Sequence, residues 1–126
     1  MISSATARAS ARALLAIDEA SQRANAALTI RAQRDVAGWH AAARGYRLAA
    51  LLVSGCAVPM SVVPARRRFA AALTAAAEVC DELAVVDSPA ARKVLSVAIT
   101  LIQEGMREYS AALAREIGQL PPGDVV

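Results

Sequence analysis

Aromatic residues are nearly missing: Trp39, Tyr46, Phe69 and Tyr109 are the only four in 126 residues. Strands of a β-sandwich or barrel draw on aromatic and β-branched side chains, so this scarcity argues against either architecture. Cysteine occurs twice, at Cys56 and Cys80, which is too few for a disulfide-stapled mini-scaffold. The two lie in different segments with no metal-ligand spacing around them, and both are expected to stay reduced. No uninterrupted apolar stretch of the secretory kind stands in the first twenty residues, which carry Arg8 and Arg12. The expected compartment is therefore cytoplasmic.

The catalytic vocabulary is as thin as the aromatic one. His40 is the single histidine, and it follows Trp39 with no glutamate three residues before it. The inward Glu-x-x-His pairs of a di-metal bundle are therefore lacking, although Glu78, Asp81, Glu82 and Asp87 cluster in one segment. Neither Gly-x-Ser-x-Gly nor a glycine-rich phosphate loop is present; Gly38, Gly45 and Gly55 are isolated. No catalytic residue, cofactor or metal ligand is expected.

Alanine is abundant, with 32 residues or about a quarter of the chain, in a composition 56% hydrophobic with a mean hydropathy of +0.39. That apolar content with modest charge argues against disorder. The length suits one domain over residues 1–120, followed by a short tail at 121–126. The net charge of +3 hides an asymmetry. Residues 1–70 hold ten arginines against Asp18, Glu19 and Asp35, a balance of +7; the rest hold four basic groups against eight acids, a balance of −4. The two halves are expected to face each other, within one chain or between copies.

Residues 4–36 contain no proline or glycine and read as a long alanine-rich first helix. Its seam runs through Leu14, Ile17, Ser21, Ala24, Leu28, Ala32, Val36 and Trp39. Gly38 either interrupts or only weakens it. Helical character resumes over residues 40–52 and fails at Gly55, Pro59 and Pro64, so residues 55–63 read as a connection.

A second helix opens at Pro64, a residue suited to a first turn. Its stripe is Phe69, Leu73, Ala76, Cys80 and Leu83, with Ala72, Val79 and Val86 alongside. Ser88 is a good N-cap and Pro89 a good first residue for a third helix. There Leu95, Ala98, Ile102, Met106, Tyr109, Leu113 and Ile117 form one stripe, ending near Gly118. Val94, Val97, Ile99 and Leu101 widen it, so the first half of this helix is expected to be buried on several sides. Glu104 and Glu108, one turn apart beside Arg107, read as surface patterning. The fold expected is an all-α bundle of three or four helices, with Leu73, Leu83, Leu95, Ile102, Tyr109 and Leu113 in the core or in oligomer contacts.

Two surfaces suggest partners. The longest uncharged run, LAALLVSGCAVPMSVVPA, extends over eighteen residues from Leu48 to Ala65, at the lower edge of what spans a bilayer. Arg44 and Arg47 precede it and Arg66, Arg67 and Arg68 follow, so no orientation follows from charge. A buried turn between helices is the preferred reading, with a membrane-associated protein as an alternative. The same five arginines are candidate contacts for an anionic partner, making a nucleic-acid accessory protein a second alternative. Three arginines at a helix start oppose the backbone dipole.

Two short resemblances add to these readings. Arg44 to Cys56, with its basic start, apolar stretch and small-small-Cys end, resembles a bacterial lipoprotein signal. That resemblance implies lipidation of Cys56, although such signals begin at the amino terminus and this one begins forty residues in. Arg12, Ile17, Asp18, Arg31 and Arg34 resemble the first helix of all-helical chorismate mutases. In that family intertwined helices use arginines to hold a dianionic substrate, but the later segments here supply no matching pocket residues.

The leading expectation is a non-enzymatic structural or adaptor protein, bacterial or phage in origin. It would assemble with itself or with other subunits, because apolar surface beyond what one small bundle hides usually signals a partner.

Overall fold

A computed structural model describes residues 8, 9, 12, 13, 15, 16, 18–20, 22, 23, 26 and 36–118. The protein is an all-α bundle with no strand among the described residues. Every described position between 8 and 26 is helical. Three further helices follow: α1 (Val36–Ser54), α2 (Val63–Val85) and α3 (Pro89–Gly118). A single 3₁₀ turn, Met60–Val62, leads into α2.

Gly38 and Gly45 lie inside α1 without breaking it, and Gly38 is buried beside Trp39. The helix ends where the chain turns at Gly55, whose amide reaches the Leu51 carbonyl at 2.9 Å. The connection thus begins at residue 55 as the sequence suggests and is one residue shorter at its back, because α2 begins at Val63, one residue before Pro64. Between α2 and α3 only Val86, Asp87 and Ser88 intervene. The Ser88 hydroxyl accepts a hydrogen bond from the Ala91 amide at 3.1 Å, satisfying one of the donors that a helix start leaves without an intrahelical partner.

Helix α2 is the middle element. Both α1 and α3 pack along it and hardly meet each other, and the 3₁₀ turn touches both α2 and α3. The buried side of α2 is Phe69, Leu73, Ala76, Cys80 and Leu83, with Ala72 and Val79 beside them. From α3 come Leu95, Ala98, Ile102, Tyr109 and Leu113, with Met106 packed at the edge. Helix α1 adds Trp39, Tyr46 and Val53 over a bed of alanines. Ala13 and Ala20, two helical turns apart, are fully buried and join the same core. They stand one position before Leu14 and Ser21 of the expected first-helix seam. The seam residues Leu14, Ile17, Ser21, Ala24, Leu28 and Ala32, like the 121–126 tail, lie outside the described residues.

Small side chains set the spacing. At Gly105 of α3 a Cβ atom would lie 3.0 Å from the Phe69 Cα of α2, so the α3 backbone comes close to the α2 backbone where α3 lacks a side chain. The Phe69 ring then turns toward Tyr109, with centroids 6.1 Å apart and planes tilted by 52°. Such a tilted pair suits the quadrupoles of two aromatic rings.

The structure corrects two parts of the sequence reading. Val86 does not extend the α2 stripe; it follows the helix end and is 65% exposed. Helix α3 is not buried on several sides in its first half, because Val94, Val97 and Leu101 face outward at 54, 55 and 48% exposure. Among the three helices from Val36 onward, α2 makes the main contact with α3, and these residues on the other side of α3 are left exposed.

Candidate interaction surface

The uncovered residues of α3 border a groove. Arg68, Ala71, Ala72 and Ala75 of α2 line one side of it, and Leu101, Glu104, Gly105 and Glu108 of α3 line the other, around about 310 Å³. The groove exists because of the crossing at Gly105: two helices brought close by a missing Cβ, with alanines on the outer slope of α2, leave a shallow apolar channel. Arg68 and Glu108 close one end with a two-pronged ion pair, in which Arg68 Nε donates to Glu108 Oε2 at 3.1 Å and its terminal nitrogen donates to Oε1. The guanidinium holds the Glu108 carboxyl below its ordinary range. Val94 and Val97 extend the apolar surface along α3 away from that pair. An apolar floor with charges at its rim suits the packing of partner side chains.

The five candidate arginines are divided by the fold. Arg47 donates to Asp81 at 2.5 Å, Arg66 donates to the Cys56 carbonyl at 2.5 Å and ties the connection to α2, and Arg68 is paired with Glu108. Arg44 and Arg67 are exposed without an ion pair among the described residues. The basic front half thus meets the acidic back half at Arg47–Asp81 and Arg68–Glu108.

Asp81 sits between the His40 Nδ1 at 3.4 Å and the Arg47 guanidinium at 2.5 Å. The Arg47 hydrogen bond is the main cause that lowers its carboxyl below the usual value. A lowered folded-state value means that the ionised form stabilises the fold above the unfolded carboxyl's pKa of about 3.9, and that this contribution disappears as pH falls through the folded value. Asp81 is about a third exposed, so the pair contributes only about 0.2–1 kcal/mol. The Asp81→Asn variant should therefore be less stable than the parent at neutral pH by that amount, with the gap narrowing in acid, below the unfolded carboxyl's pKa of about 3.9. Urea midpoints at both pH values measure it, and an equal gap at both would remove the ion pair as its cause.

Beneath the connection lies a group of buried polar atoms. Tyr109 is fully buried, and its hydroxyl has no hydrogen-bond partner among the described residues. Burial pushes this hydroxyl up to about 12, with the Cys56 thiol adding to the rise and Arg66 opposing it. Cys56 is itself raised by burial, against the pull of Arg66, and its thiol donates to the Leu52 carbonyl at 3.3 Å. A thiol held protonated in this way is a poor nucleophile. Neither Cys56 nor Cys80 forms a disulfide.

Leu73, Leu95, Tyr109 and Leu113 are fully buried, Leu83 is 2% and Ile102 8% exposed. The run from Leu48 to Ala65 is divided among the end of α1, the connection, the 3₁₀ turn and the start of α2. Among the described residues no helix is long and apolar enough to cross a membrane. The lipoprotein-like stretch, 44–56, is the second half of α1 and the turn after it. Of the chorismate-mutase-like set, Arg12 and Asp18 are helical, while Ile17, Arg31 and Arg34 lie outside the described residues. No group of three or more His, Cys, Asp or Glu side chains suited to a metal occurs among the described residues.

The groove itself escapes a reading of the sequence. Its one available signal is Gly105, a glycine in the interior of a strong helical pattern, where it costs about 1 kcal/mol unless another backbone comes close. Compared with known proteins, the chain matches no family model, and no curated protein or solved structure is significantly similar to it.

Proposed function

We propose that this chain is a non-enzymatic helical subunit that assembles with copies of itself, or into a larger assembly, through the face formed by α2 and α3. The observation that carries this reading is the exposed apolar row Val94, Val97 and Leu101 beside the alanine-floored groove. Steps of three and four residues put the row on one side of α3, where a helix from a partner can lie along it. Burying such aliphatic side chains stabilises association, and each contributes about 1.5–3 kcal/mol when fully covered.

Size-exclusion chromatography with light scattering in detergent-free buffer, read at 260 and 280 nm, tests the proposal. A discrete multimer free of nucleic acid is expected. Replacing Val97 with Glu and Leu101 with Lys together should weaken association by roughly 10- to 100-fold and leave the helical circular dichroism unchanged. A protein that stays monomeric at its solubility limit, or a multimer indifferent to both substitutions, overturns the reading.

A further inference from the structure

We infer that the occupant of this face is the same face of a second copy, with the two α3 helices crossing antiparallel about a two-fold axis near residue 99. This rests on the self-assembly reading above and adds the partner and the register. The placement of charge along α3 sets this register. Along the exposed side of α3, Lys93, Val97, Leu101 and Glu104 follow one another at steps of four, four and three residues, which places them in one row. The row is basic at its front, apolar in the middle and acidic behind.

Lys93 and Glu104 are both exposed and take part in none of the chain's ion pairs among the described residues, whereas Arg68, Arg92, Asp87 and Glu108 are already paired. A row with this polarity is complementary to its own reverse. Laid antiparallel, Val97 of one copy meets Leu101 of the other, Leu101 meets Val97, and each Lys93 falls against the partner's Glu104. Laid parallel, Lys93 meets Lys93 and Glu104 meets Glu104, which is repulsive. The antiparallel arrangement is isologous, with one patch used twice, and it closes at two copies without leaving a free patch for fibre growth. The groove gives it depth: with Ala71 and Ala75 as its far slope, it leaves room for the partner's aliphatic side chains beside Leu101.

Single charge reversals and their mixture test this register. Two-fold symmetry makes Lys93→Glu place four carboxylates in the interface, and Glu104→Lys place four ammonium groups there. Each variant alone should associate about tenfold more weakly at low salt, since two attractive contacts become repulsive. An equimolar mixture of the two should recover the affinity of the parent, because one protomer then carries only acidic groups and the other only basic ones. Differently labelled protomers, followed by energy transfer and by sedimentation, report the mixed pair directly, and raised salt should shrink all these differences. The milder pair Lys93→Gln and Glu104→Gln serves as the control for folding.

The outcomes separate the two claims. A parent protein that never associates ends the assembly reading and this register with it. A parent that associates, with single reversals that leave it unaffected or a mixture that fails to restore it, ends the antiparallel register while self-assembly stands. Weakened single variants with a restored mixture establish it.

Discussion

Phe69→Ala should cost about 3–5 kcal/mol of folding stability, as truncation of a buried aromatic does. The ring is 1% exposed and meets Tyr109. Its backbone lies under Gly105 at the α2–α3 crossing, so the surrounding atoms have little freedom to collapse into the space left behind. The loss is large beside the roughly 5–15 kcal/mol that holds a domain together. Urea unfolding followed by circular dichroism should show a midpoint lowered in proportion, with Phe69→Leu intermediate because it keeps most of the volume. A loss under about 1 kcal/mol for the alanine variant would mean that the ring is not packed between the two helices.

Gly105→Ala should destabilise, even though alanine is the better helix former. An exposed helical glycine changed to alanine gains up to about 1 kcal/mol. At Gly105 the added methyl comes within 3.0 Å of a backbone atom, Phe69 Cα, and 3.3 Å of its Cβ. Neither can swing aside as the tip of a flexible side chain can, so the helices must separate. Overpacking of this kind costs about 1–3 kcal/mol, which outweighs or cancels the gain in propensity. Gly118, where an added Cβ meets nothing within 4 Å, supplies the internal comparison: Gly118→Ala should be neutral or slightly stabilising. Thermal midpoints of the two variants should move apart, with that of Gly105→Ala below the parent. A rise for both would show that the crossing is looser than 3.0 Å implies.

Much of the fold could be read from side-chain spacing. Phe69, Leu73, Ala76, Cys80 and Leu83 recur at helical intervals and form the inner side of α2, and Ser88-Pro89 marks the start of α3 through an N-cap with a simple chemistry. Periodicity reports which residues share a side of a helix. It does not report whether anything covers that side, and this is why Val94, Val97 and Leu101 read as buried yet stand in solvent. Ion pairs were partly legible in the same way. Opposite charge balances in the two halves suggested attraction, but Arg68 finds Glu108 only because the helices cross at Gly105, and Arg47 finds Asp81 only because α1 runs beside α2. The groove depends on a crossing between residues thirty-six positions apart, Phe69 and Gly105, and no local pattern encodes it.

Because α1 and α3 each rest on α2 and scarcely on each other, the order of assembly is constrained. Neighbours in sequence are neighbours in space: α1 turns back onto α2 through a short connection, and α3 follows after three residues. Contacts of this local kind need little loop closure before they stabilise, which is the condition for rapid folding. Either hairpin of helices can form first, but both need α2 as the common surface. A defect in α2 therefore reaches both seams, whereas a defect in the inner side of α1 or of α3 alone falls on one of them.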